Sequence, residues 1–122
     1  MPLLQLRIEA LYDGKPVTGF PVNVVQSVDE AQQFDHEKAA DNNDTSFSAL
    51  PVGEVDTVAA LLLVAQDAIG QRLEGGEATN VAVRISAGGG FVGWGLSLTD
   101  SNLTVNRNAA TVARIRGGAF GT

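Results

Sequence analysis

Leu61-Leu62-Leu63-Val64, Val81-Ala82-Val83-Arg84-Ile85, Phe91-Val92-Gly93-Trp94 and Ala110-Thr111-Val112-Ala113-Arg114-Ile115-Arg116 are apolar runs set between Gly70, Gly75-Gly76, Gly88-Gly89-Gly90 and Gly117-Gly118. Runs of four to seven residues rich in Val, Ile and Leu and bounded by glycine fit strands and are too short for ordinary helices. The first run sits inside the longest strand candidate, Val55 to Gln66, and is apolar at successive positions. A strand of that pattern is covered on both faces, which calls for two layers. The expected fold is all-β: an antiparallel two-sheet β-sandwich, the jelly roll among its variants, built from about eight short strands.

Outward from that centre, Leu3 to Leu11 alternates, with Leu4, Leu6, Ile8 and Ala10 on one face and Gln5, Arg7 and Glu9 on the other. Asp13-Gly14-Lys15-Pro16 is turn chemistry, and Phe20 to Val28 returns as a partner strand with Pro21 near its start. Between Asp29 and Ser46 the apolar pattern disappears, so that stretch is expected to be a long polar loop, either an extended arm or one holding a helical turn. Phe47 to Leu50 is a short strand ended by Pro51-Val52-Gly53. Gln71 to Glu74 and Thr79 to Ile85 flank Gly75-Gly76-Glu77 as a hairpin, and Phe91 to Leu98, Leu103 to Asn106 and Ala110 to Arg116 complete the set. Residues 117–122 are expected to form a flexible tail, and residues 1–122 a single domain.

Composition narrows the chemistry. The 122 residues contain no cysteine and one histidine, so neither a disulfide framework nor a thiolate zinc site is available. Met1 to Arg7 lacks a basic segment leading into a continuous apolar stretch, so no secretory signal is expected. The longest apolar run, Val58 to Ala65, is far short of the ~20 residues of a membrane helix, so no membrane partner is expected either. Residues 1–61 carry ten acids against three bases, net −7, and residues 62–122 four acids against five arginines, net +1, giving the overall −6. Such a charge repels phosphate backbones, and no nucleic-acid partner is expected.

The sequence holds several imitations of functional motifs. Gly88-Gly89-Gly90-Phe91-Val92-Gly93 matches G-x-G-x-x-G, but no helix pattern follows to receive a pyrophosphate, so the glycines read as a turn, with Gly93 and Gly95 marking a bulge or close backbone contact. Asp41-Asn42-Asn43-Asp44 offers oxygen ligands, yet an EF-hand needs glycine and glutamate where Ser46 and Val52 stand, which leaves a solvated polar turn or a looser cation site completed by another loop. His36 lies between Asp35 and Glu37 without a nucleophile signature, and no catalytic, cofactor or metal residue is assigned. Of the seven aromatic residues most fall at positions the strand pattern gives to a core, and Trp94 alone would serve as a sugar-stacking platform.

Contact residues are easier to nominate. Phe34 either tucks into the rim of the core or anchors the polar stretch on a neighbour; Trp94 is an amphipathic core or interface residue; Arg114 and Arg116 share a strand face and either stay solvated or pair with acids in an assembly; Phe120 orders a tail by docking. From Leu61 onward the order of elements resembles the small all-β virion proteins of tailed bacteriophages. The likeness rests on Leu61-Leu62-Leu63-Val64-Ala65-Gln66-Asp67, the hairpin segment Arg72-Leu73-Glu74-Gly75-Gly76, Ala87-Gly88-Gly89-Gly90-Phe91-Val92-Gly93-Trp94, and the endings Leu103-Thr104-Val105-Asn106 and Ala113-Arg114-Ile115-Arg116-Gly117. It covers about half the chain and implies a structural role in the virion, as a capsid decoration or cement protein or a tail accessory. The expected partners are copies of itself, in a homo-oligomer such as a trimer, and the phage major capsid or tail proteins. A carbohydrate- or host-binding sandwich is the other reading that the residues leave open.

Overall fold

In the computed structural model, which describes residues 2–73 and 83–122, the Leu61–Val64 run lies at the heart of a sheet. The described strands are β1 (Leu3–Ile8), β2 (Leu11–Tyr12), β3 (Lys15–Pro16), β4 (Val22–Ser27), β5 (Glu30–Lys38), β6 (Ser48–Ala49), β7 (Thr57–Ala65), β8 (Ile69–Arg72), β9 (Val83–Ile85), β10 (Gly90–Gly93), β11 (Leu98–Thr99), β12 (Thr104–Asn106) and β13 (Ala113–Gly121). One sheet runs β10-β7-β13-β5 with β11 also on β7, and a second runs β6-β12-β8-β9; every pairing is antiparallel. Leu61, Leu63, Ile115, Ala119 and Phe34 of the first sheet form one core cluster with Ile69, Ile85 and Val105 of the second, sealed by Leu50, Val52, Val55 and Leu103. The fold is an all-β sandwich.

Two expectations need correction. The stretch 29–46 is not one long loop: Glu30–Lys38 is strand β5, paired along its whole length with β13. Its inward positions are Gln32, Phe34, His36 and Lys38, so no apolar alternation announces it, and the backbone ladder to β13 supplies what the side chains do not. Residues 117–121 are not a tail but the second half of β13, held between β5 and β7. The bulge expected at Gly93 and Gly95 is present: Gly93 pairs with Leu61 and Leu98 with Val58, so residues 94–97, with Gly95 at φ 65°, stand opposite only Ala59 and Ala60 of β7. A second irregularity falls between Phe120 and Gly121 in the β13–β7 ladder. The proposed turn Gly75-Gly76-Glu77 lies outside the described residues, while the strands on either side, β8 and β9, do pair.

Glycine is what lets β13 enter that slot. A Cβ on Gly117 would collide with the Leu62 carbonyl oxygen, and one on Gly121 with the carbonyl oxygen of Thr57, both rigid backbone. A Cβ on Gly118 would meet only the far edge of the Phe120 ring, at 2.9 Å. The ring therefore fills the space above a residue that has no side chain of its own.

The remaining part of 29–46, residues 39–46, is pinned to the second sheet. Lys38 Nζ donates to Asp41 Oδ2 at 2.7 Å, the same oxygen accepts the Arg107 N–H at 3.0 Å, and the Asp41 N–H donates to the Arg107 carbonyl at 2.8 Å. Asn106 Nδ2 holds the carbonyls of Asn43 and Ser46, each at 2.8 Å. The Lys38 and Asp41 side chains are only 5% and 17% exposed. Burial opposes ionisation of Asp41, but the hydrogen bonds from Lys38 and the Arg107 amide, with the Lys38 charge, outweigh it and hold the carboxyl below its ordinary value.

The first 28 residues stand apart. β1 pairs with β4 from Leu3↔Ser27 to Ile8↔Val22, and β2 pairs with β3 across the Asp13-Gly14 turn, where φ is 50° and 74°. Among the described residues this ribbon pairs with neither sheet and gives no side chain to the core cluster. The Asp29 N–H to Gly121 carbonyl bond, 2.9 Å, fixes the chain where the ribbon ends and the body begins.

Two stability predictions follow from these contacts. Gly117→Ala is expected to lower unfolding free energy in urea by about 2–3 kcal/mol, because strand β13 must move off β7, whereas Gly118→Ala costs clearly less since the Phe120 ring can swing aside. Asp41→Ala strands the Lys38 ammonium in a nearly closed site and is expected to cost about 3 kcal/mol, measured the same way. The wild-type contribution of Asp41 is complete above the ordinary carboxylate pKa of about 3.9 and disappears as pH falls through its depressed folded value, so the Asp41→Ala deficit should shrink at the acid end of a pH series.

Candidate assembly interface

Strand pairing fixes which side chains share the outer face of the five-stranded sheet. Arg114, Arg116, Gly118 and Phe120 of β13 lie opposite Glu37, Asp35, Gln33 and Ala31 of β5; on the other flank Arg116, Gly118 and Phe120 meet Val64, Leu62 and Ala60 of β7, and Leu62 meets Val92 of β10. The result is a charged stripe, Glu37-Asp35-Arg114-Arg116, beside an apolar field of Leu62, Val64, Val92 and Phe120. Val64 is 52% and Val92 51% exposed. The expectation that β7 is covered on both faces is thus met on one side and in part on the other: Leu61 and Leu63 are buried in the core cluster, while on the opposite face Ala60 is buried, Leu62 partly buried and Val64 exposed.

Within this face a shallow depression of about 480 Å³ is lined by Gln33, Phe34, Asp35, Leu62, Arg116, Gly117, Gly118 and Phe120. Phe34, opposite Gly117 in register, contributes to the floor while belonging to the core on its other side. The electrostatics of the rim are asymmetric. Arg114 Nε and Nη2 donate to the two carboxylate oxygens of Asp35 at 2.8 and 2.7 Å, a bidentate diagonal pair that leaves both residues about half exposed. The hydrogen bonds from Arg114, with the Arg114 and Arg116 charges, hold the Asp35 carboxyl below its ordinary value and raise the Arg114 guanidinium. Arg116 itself, among the described residues, donates no hydrogen bond and joins no ion pair.

Four nominated contact residues, Phe34, Arg114, Arg116 and Phe120, therefore gather at one place, although they were chosen from a supposed loop, a strand and a supposed tail. Trp94 is not among the residues lining the depression; it follows β10 and is 36% exposed. Sequence reading missed the most exposed aromatic residue. Tyr12, which the sequence pattern placed in no strand, is 81% exposed, with Leu11 at 66%, because the Asp13-Gly14 turn puts them at the tip of the ribbon. Their place beside Asp-Gly was the available signal.

The other motif residues find structural uses. Asp44 Oδ1 accepts from Arg84 at 3.0 Å and Asn108 at 2.8 Å, while Asp41 faces Lys38, so the two acids of Asp41-Asn42-Asn43-Asp44 do not converge. Gly90 to Gly93 is a strand rather than the approach to a helix. His36 pairs in register with Ile115 inside the β5–β13 ladder. No protein-family model matches the chain, and neither a curated protein nor a solved structure does.

Since Arg114 and Asp35 are both well solvated, Asp35→Asn and Arg114→Ala are expected to leave the thermal midpoint unchanged within error at about 0.15 M salt. A clear drop for either would show that the pair supports the sheet rather than decorating it.

Proposed function

We propose that the protein is a non-enzymatic structural component of a bacteriophage virion, a capsid decoration or cement protein bound to the major capsid protein, with a tail or head-tail accessory role as the nearest alternative. The observation that carries this reading is the outer face of the five-stranded sheet: a central strand with the composition of a two-sided core strand exposes Val64 beside the exposed Val92 and the partly buried Leu62 and Phe120. Contiguous apolar surface of this kind on a small domain marks a contact with another macromolecule. The ribbon of residues 2–28 adds a second surface detached from the core, and the resemblance to virion β-proteins supplies the context. On a symmetric particle, contacts that are weak singly hold firmly because they repeat.

The test uses particles of the encoding phage from which this gene has been deleted. Purified protein is expected to cosediment with them and to delay their disruption by heat or chelator, and Val64→Asp is expected to abolish both effects while the free protein keeps its circular dichroism spectrum. Failure to cosediment with either capsids or tails overturns the reading. Binding to immobilised glycans that is lost in Trp94→Ala would replace it with the host-binding module.

A further inference from the structure

The chain carries two exposed surfaces whose chemistry is complementary. The ribbon tip, Leu11 to Pro16, presents Leu11 and Tyr12, the two most exposed of the large hydrophobic side chains described, next to the carboxylate of Asp13. Among the described residues Asp13 has neither a hydrogen-bond nor an ion-pair partner for its carboxylate. The depression on the five-stranded sheet presents Leu62, Gly118 and Phe120 next to the guanidinium of Arg116, which is likewise unpaired. Both surfaces thus place large apolar groups beside a charged group that makes no hydrogen bond or ion pair among the described residues, Asp13 on the tip and Arg116, across the ladder from Asp35, on the sheet, and the two are opposite in sign. Lys15, across the turn from Tyr12, adds a cation that suits the acidic end of the same sheet face at Glu37.

We propose that the ribbon tip of one copy docks in the sheet depression of a second copy, with Tyr12 seated against Leu62 and Phe120 and Asp13 paired with Arg116. A tyrosine suits that position because it brings large contact area on a side chain with few rotors, and burial against apolar neighbours strengthens the adjoining ion pair relative to the same pair in water. The depression, about 480 Å³, has room for a ring from outside. A tip of six residues buries far less than the roughly 800 Å² per partner of a standard interface. One such contact is therefore weak, and stable assembly needs each copy to give one tip and accept another, either reciprocally in a two-fold dimer or head to tail in a closed ring. The proposal deepens the contact role assigned to this face and concerns the free protein, so it stands or falls independently of particle binding.

Sedimentation equilibrium on the purified protein up to about 1 mM, the weak end of the affinity scale, reads the association directly. Wild type is expected to associate, and Tyr12→Ser, Asp13→Arg and Arg116→Glu, all at exposed positions, are each expected to shift the dissociation constant at least about tenfold toward monomer with unchanged circular dichroism. The deciding measurement mixes Asp13→Arg protein with Arg116→Glu protein. In that pair the tip of the first meets the face of the second with charges reversed but opposite, so a 1:1 complex should form although each variant alone is monomeric. A wild-type protein that stays monomeric throughout, association that survives all three substitutions, or a mixture that fails to combine overturns the proposal. Loss of association in Leu6→Asp with no effect of Arg116→Glu would overturn it too, by locating the contact on the ribbon's own apolar face.

Discussion

Everything in the sandwich depends on β13 fitting between β5 and β7. Seven of its nine residues, Ile115 to Gly121, pair on both sides at once, and they fit because the backbone of β7 comes too close at Gly117 and Gly121 for any side chain. Remove that fit and β5 loses the one strand it pairs with among the described residues, and its own side chains offer little apolar surface to hold it. On the outer face Gly118 has a different part: the Phe120 ring lies over the place its side chain would take, and both residues line the depression.

What the sequence revealed follows from where side-chain patterning is strong. β1 and β4 alternate cleanly, Asp13-Gly14 names its own turn, and the Leu61-Leu62-Leu63-Val64 run declares a central strand, so these elements and the all-β class could be read directly. β5 could not, because its inward row is Gln32, Phe34, His36 and Lys38 and its strand conformation is imposed by a partner eighty residues away. Gly117-Gly118 misled for the opposite reason: glycine usually punctuates a chain, and here it continues one through a narrow gap. The candidate site was legible as residues but not as a place, since only the register of β13 against β5 brings Arg116 and Phe120 to the neighbourhood of Phe34.

Polar interactions divide into two kinds. The Lys38–Asp41 pair, with Arg107 and Asn106, is enclosed and ties residues 39–46 to the body, so its loss disturbs the fold. The Arg114–Asp35 pair lies in solvent and contributes organisation rather than stability, since it occupies one guanidinium and leaves the neighbouring one available. Inside the core, Gln71 departs from the pattern: it is almost wholly buried, and among the described residues neither of its amide atoms has a hydrogen-bond partner.

The position of β13 in the chain sets the order in which the protein can be built. The ribbon of residues 2–28 closes through neighbours in sequence and is complete early in synthesis, while the middle strand of the main sheet is made from residues 113–121. During translation the apolar residues of β7 must therefore wait, with an unfilled slot beside them, for a strand roughly fifty residues behind. Long-range pairing of this kind is slow and leaves strand edges open in the interval. Premature termination shortly before Ala113 would release a polypeptide with a formed ribbon and an unpaired hydrophobic strand, a species suited to aggregation and to capture by chaperones rather than to a partly working protein.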